Sequence, residues 1–111
     1  MSSKKSTFKS RVGKGAVKNI CYDLVDAIES LDTLIWESVH FLESDNDLNS
    51  NEAAEVVADI LRLDSAKAGA MISLSLIDRR MAKPIMKDAK EGREIMMKIV
   101  TEQAENVCGQ D

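Results

Sequence analysis

Residues 17–42 read VKNICYDLVDAIESLDTLIWESVHFL, and this stretch decides the fold class. Its apolar side chains recur at spacings of three, four or seven residues, which is the repeat of one face of an α-helix. The apolar positions are Val17, Cys21, Leu24, Ile28, Leu31, Ile35 and Leu42, widened by Ile20, Leu34 and Phe41. The opposite face is polar throughout, at Asn19, Asp23, Asp26, Ser30, Thr33, Glu37, His40 and Ser44. The pattern predicts one amphipathic helix of about 28 residues, roughly 40 Å long.

A second helix is predicted after a polar run. Residues 43–51 (ESDNDLNSN) are rich in Asn, Asp and Ser, which bond to their own backbone and end helices. We expect Ser50 or Asn51 to cap the next helix. Its apolar stripe is Ala53, Val56, Ile60, Leu63, Ala66, Ala70, Leu74, Ile77 and Met81. We predict that this helix continues through residues 64–65, and that the Ala, Gly and Ser of residues 65–75 allow a neighbouring backbone to come close.

A third helix is predicted from Pro84 to about Val107. Proline ends or kinks a helix but suits the first turn of the next one. The expected inner positions are Ile85, Ala89, Gly92, Met96, Ile99 and Gln103. Since no strand pattern appears, the sequence predicts an all-α fold: an elongated antiparallel bundle of three long helices. This single domain would span residues 14–111 and follow a flexible basic arm, residues 1–13.

The bundle is expected to form a homodimer. The apolar stripes are wide, and several apolar residues fall outside their narrowest faces: Val57, Leu61, Met71, Met86, Met97 and Val100. A three-helix monomer would leave several of these in water, whereas a second copy would bury them.

Charge is distributed unevenly along the chain. Residues 1–22 hold six basic residues and no acid, while residues 23–111 hold the other nine bases and all 19 acids, for a net charge of −4. The six are Lys4, Lys5, Lys9, Arg11, Lys14 and Lys18. The sequence therefore describes a basic arm on an acidic body.

The cysteines and the apolar content indicate the compartment. Cys21 and Cys108 are too few for a disulfide framework. The start of the chain lacks the apolar stretch of a secretory signal, and its Lys-rich, acid-free composition matches mitochondrial presequences only in part. We expect a cytoplasmic protein that does not enter a membrane.

Two segments match known binding motifs only in part. Residues 45–51 place oxygen side chains as a calcium-binding EF-hand loop does, but Ser50 replaces the central glycine and Val56 the final glutamate. Residues 57–76 have the apolar spacing of a helix-turn-helix, but Arg62 replaces the turn glycine and few base-reading side chains follow. A capped turn and a continuous amphipathic helix are the preferred interpretations. We expect no metal and no cofactor.

Trp36, Glu37 and His40 fall within one turn of the first helix. His40 beside Glu37 suggests a general base, but the sequence offers no nucleophile for it and no metal-ligand spacing. Aromatic residues often anchor protein interfaces, so we interpret these three residues as a partner-binding cluster. No phosphate-binding loop or catalytic triad pattern is present, and we expect no enzyme activity.

The leading hypothesis is a small adaptor or regulatory protein that binds another protein through helical surfaces. The alternative is a nucleic-acid-binding accessory protein, whose candidate residues are Lys4, Lys5, Lys9, Arg11, Lys14, Lys18, Arg79 and Arg80. A secretion chaperone, or an inhibitor of phage or bacterial origin, is a third possibility that rests on analogy of fold.

Overall fold

The computed structural model describes the backbone of residues 14–44 and 47–110, and the side chains of residues 15–44 and 47–105. It contains three helices: α1 (Lys14–Ser44), α2 (Ser50–Ile77) and α3 (Arg79–Gln110). They hold 31, 28 and 32 residues, which corresponds to about 42–48 Å each. The described residues form no strand, and the predicted all-α bundle of three long helices is confirmed. The predicted arm, residues 1–13, lies outside the described residues.

Two buried clusters hold the three helices together. One joins the beginning of α1 to the end of α2 and the beginning of α3, through Cys21, Ile28, Leu74 and Ala82. The other joins the opposite ends of the same helices, through Ile35, Val39, Leu42, Ala53, Ile60, Met96 and Val100. Consecutive helices therefore run antiparallel. Most of the buried α1 residues belong to the predicted stripe, but Val39 was not in it, and Val100 was expected outside the narrowest face.

The junction between α1 and α2 is fixed by a helix cap. Asn49 has an extended backbone, and its Oδ1 accepts a hydrogen bond of 2.8 Å from the backbone N–H of Glu52. Its Nδ2 donates in return to Glu52 Oε1 at 2.5 Å, so the cap satisfies the N–H of Glu52, and the second bond holds the Asn49 and Glu52 side chains together. The prediction of Ser50 or Asn51 as the cap was wrong by one or two positions, because Ser50 is already helical.

The second helix is continuous through residues 64–65, as predicted. A helix-turn-helix over residues 57–76 is therefore excluded, since the whole segment lies within α2 and contains no turn. Asp64 does not break the helix because its side chain is paired with Arg93 of α3.

The predicted boundary between the second and third helices was wrong. Asp78 alone separates α2 from α3: its N–H donates to the Leu74 carbonyl at 2.7 Å, and its Oδ1 accepts from the Met81 N–H at 3.1 Å. One residue thus ends one helix and caps the next. Pro84 lies inside α3 rather than at its start. Because proline has no N–H, α3 lacks one backbone hydrogen bond at this position but continues on both sides of it.

Candidate functional site

A cleft of about 280 Å³ opens between α1 and α3. These two helices contact each other less than either contacts α2. The bottom of the gap between them is formed by α2. The lining residues are Ile28, Glu29, Asp32 and Trp36 of α1, Lys67 of α2, and Ile85, Asp88, Ala89 and Gly92 of α3. The cleft therefore combines apolar walls with an ionic floor and an acidic rim.

The floor is an ion pair between two helices. The Lys67 ammonium lies 2.7 Å from Asp32 Oδ1, and the Lys67 side chain is only 11% exposed. Burying an ammonium is costly unless an anion and hydrogen bonds compensate it, so Asp32 is needed to hold Lys67 there. With this pair neutral, Glu29 and Asp88 leave the cleft net negative.

Trp36 forms one wall of the cleft. Its side chain is half-buried and packs against the core. Gly92 lies across the cleft from Trp36. A Cβ added at Gly92 would meet Trp36 Cζ2 at 3.9 Å, an ordinary contact distance, so the glycine leaves room for the cleft beside the indole. The sequence had placed Trp36, Glu37 and His40 in one cluster. Glu37 and His40 are exposed on α1, and Trp36 has a packing role in addition.

A second ion pair joins α2 to α3. Arg93 Nε donates to Asp64 Oδ2 at 2.9 Å, and the Asp64 side chain is only 13% exposed. Sequence analysis singled out neither this pair nor the Asp32–Lys67 pair. The partners are 29 and 35 residues apart, and no local pattern indicates which helical turns face each other. Among the described side chains, no buried polar atom lacks a partner.

The basic residues proposed for nucleic acid binding are only partly described. Lys4, Lys5, Lys9 and Arg11 lie outside the described residues, and only the backbone of Lys14 is described. The exposed Lys18 ammonium lies 5.9 Å from the centre of the Tyr22 ring.

Arg79 and Arg80 are exposed in the first turn of α3, where they border a groove with Ser75, Lys83 and Met86. Both residues stand at a helix N-terminus, where the dipole disfavours cations.

Other classes of site receive no support from the described residues. Within them, no group of three or more His, Cys, Asp and Glu could hold a metal ion. Asp45 and Asn46, which begin the EF-hand-like pattern, lie outside this part of the chain. The described helices include none with the length and apolar character of a membrane span. Comparison of the chain with protein-family models, curated proteins and solved structures found no match, so the site is interpreted from its own residues.

Proposed function

We propose that this protein is a non-enzymatic cytoplasmic adaptor or regulator that binds another protein through the cleft between α1 and α3. The observation that carries the proposal is the cleft itself: an aromatic wall at Trp36, apolar side chains beside it and a negative rim. Aromatic residues in partly desolvated pockets commonly dominate the energy of protein interfaces.

The chemistry of the cleft favours a partner segment that inserts a lysine or arginine side chain. The aliphatic part of such a side chain would lie against Ile28, Ile85 and the Trp36 indole. Its charged end would reach Glu29 or Asp88 at the rim. Long basic side chains bury their stems and keep their charge in polar surroundings, and Trp is the best aromatic partner for a cation.

Filling the cleft tests this function without removing a core side chain. Gly92→Leu would place a branched side chain beside Trp36. Gly92→Ala is the matched control, because a Cβ fits there at ordinary contact distance. Tagged forms of both variants and of the wild type are used to capture partners from the native host, and binding of the purified partner is then measured by calorimetry.

We expect Gly92→Ala to bind as the wild type does and Gly92→Leu to bind at least about tenfold more weakly, as loss of an interface anchor requires. Circular dichroism checks that both variants remain helical. Equal binding by both variants would reject the cleft as the binding site.

Nucleic acid binding remains the second proposal, and one arrangement favours it. Lys18, Arg79 and Arg80 belong to the same end of the bundle, because the cluster around Cys21 and Ala82 brings the beginnings of α1 and α3 together. Six engaged cations, arm included, would give a slope of log K against log salt near −5 on duplex DNA. The acidic body argues against a broad duplex footprint.

Replacing the arm residues Lys4, Lys5, Lys9 and Arg11 with Ala separates the two proposals. We expect capture of a protein partner to survive these substitutions. Micromolar DNA or RNA binding at physiological salt that disappears on substitution would instead support the nucleic acid proposal.

A further inference from the structure

Of the ten large apolar side chains that are exposed in the described part of the chain, all but Tyr22 and Ile95 gather on one side of the bundle. Ile20, Leu34 and Phe41 of α1 are rotated away from Asp32 and Trp36, which mark the cleft side of that helix. On α3, Met86 lies on the flank that faces α2, beside the groove at Ser75. The whole set on this side, opposite the cleft, is Ile20, Leu34, Phe41, Leu61, Ile72, Leu76, Ile77 and Met86. We call this surface the α2 face, because α2 runs along its middle.

A strip of small and apolar residues runs along the outer side of α2. It consists of the exposed residues Ala54, Ala58, Leu61, Ser65, Gly69, Ile72 and Leu76. Glu55, Asp59 and Arg62 are exposed beside this strip, and Asp59 and Arg62 form an ion pair with each other. This strip extends over about 33 Å of helix. Nothing lies within 4 Å of a Cβ built at Gly69, so this part of α2 is open to a second backbone.

The two edges of the α2 face carry opposite charge. On the α1 edge, Asp23 and Glu37 are exposed, and each lies three residues after an exposed apolar side chain. On the α3 edge, the exposed basic residues nearest α2 are Arg79, Lys83, Lys90 and Arg93, spaced as one face of a helix. Arg93 is already paired with Asp64 of its own chain, so Arg79, Lys83 and Lys90 carry the charge of this edge.

We propose that the α2 face is the interface of a symmetric homodimer whose two-fold axis runs parallel to the helices. Rotation about such an axis sets the acidic α1 edge of each copy against the basic α3 edge of the other. A two-fold axis across the helices would instead set acid against acid and base against base. An isologous interface must be self-complementary. The α2 face is self-complementary in charge only when the two-fold axis runs parallel to the helices.

The charge pattern also selects a second copy over a nucleic acid. A polyanion on the basic edge would leave the apolar strip uncovered and approach the acidic edge, whereas a second copy covers all three parts. The assembly is independent of the proposed function, because the cleft opens on the opposite side of the bundle.

Two charge-reversal variants test the arrangement. Variant one carries Asp23→Lys and Glu37→Lys, and variant two carries Lys83→Glu and Lys90→Glu. Within each homodimer the reversed edge meets a like-charged edge, while in a mixed dimer both edge contacts are attractive. The matched control is Lys87→Glu with Lys98→Glu, which makes the same charge change on the side of α3 turned away from α2.

Sedimentation equilibrium at micromolar concentration gives the result. We expect the wild type and the control to be dimeric. Each variant alone should associate at least about tenfold more weakly than the wild type, and the equimolar mixture of the two variants should recover the dimer. Leu76→Glu, which leaves the core intact, should prevent association even in the mixture. Monomeric wild type, variants that dimerise like the wild type, or a mixture that stays monomeric would each overturn the proposal. The proposal would also be overturned if variant two still dimerised but no longer bound heparin, which serves as a polyanion probe.

Discussion

Two leucines on α2 separate the stability of the bundle from its association. Leu74 is 0% exposed and lies in the core cluster that joins all three helices, whereas Leu76 is 83% exposed. The same substitution to Ala at these two positions removes the same atoms from the same helix. Only the surroundings of the side chain differ, so each position is the control for the other.

The burial of each side chain gives the expected magnitude. Leu→Ala at a fully buried site costs about 3 kcal/mol, made up of lost transfer free energy and the cavity left behind. For a chain of this size that corresponds to a fall in the melting temperature of roughly 10–15 °C. Leu76→Ala should change the free energy of unfolding of the monomer by less than about 0.5 kcal/mol, as expected for an exposed site.

Chemical denaturation followed by circular dichroism, at several protein concentrations, measures both effects. At the lowest concentration only Leu74→Ala should be destabilised. As concentration rises, the wild type should gain stability by mass action, and Leu76→Ala should gain less. A loss at Leu76 as large as that at Leu74 in the dilute protein would refute the register assigned to α2.

Three further substitutions test single features of the bundle. Gly69→Ala should stabilise the dilute monomer by about 0.5–1 kcal/mol, because Ala is the better helix former and a Cβ there meets nothing within 4 Å; thermal melting at low concentration checks it. Asp32→Ala should destabilise the fold by about 1–3 kcal/mol by leaving the Lys67 ammonium unpaired, and adding Lys67→Met should recover most of that loss in a double-mutant cycle. Pro84→Ala should stabilise α3 by about 1–3 kcal/mol by restoring a helical hydrogen bond, measured by urea denaturation; an unchanged midpoint would contradict this account of the proline.

The fold class was predictable because the three amphipathic patterns are long. The polar face of α1 is exposed at every predicted position, and a regular alternation over so many turns has few competing explanations. The boundary at Asp78 was not predictable in the same way. Ile77 and Met81 keep the four-residue spacing across it, and Pro84 is the more conspicuous breaker. That Asp78 caps both helices follows from backbone geometry, which apolar spacing does not encode.

The candidate site was predictable only in part. Trp36 was predicted as part of a partner-binding cluster with Glu37 and His40, but the residues that line the cleft with it come from three helices. Lys67 and Gly92 could be placed beside it only after the relative rotation of those helices was known. Sequence analysis likewise indicated that some apolar residues would not fit into the core of a monomer, but it did not identify all of them correctly. Val100, expected outside the narrowest face, is buried, whereas Leu76 and Ile77 are exposed.

The central claim, that α2 meets α2 of a second copy in parallel, is tested most directly by cross-linking single cysteines. In a Cys108→Ser background, where the remaining Cys21 is buried, a parallel two-fold axis places each outer α2 position next to the same position of the partner. Ala58→Cys and Leu76→Cys are about 27 Å apart along the helix. We predict that a short bismaleimide reagent links both variants into covalent dimers. Glu91→Cys, on the far side of α3, should give no covalent dimer, although the protein still associates. Absence of dimers at both α2 positions, or dimers equally abundant at Glu91, would contradict the claim.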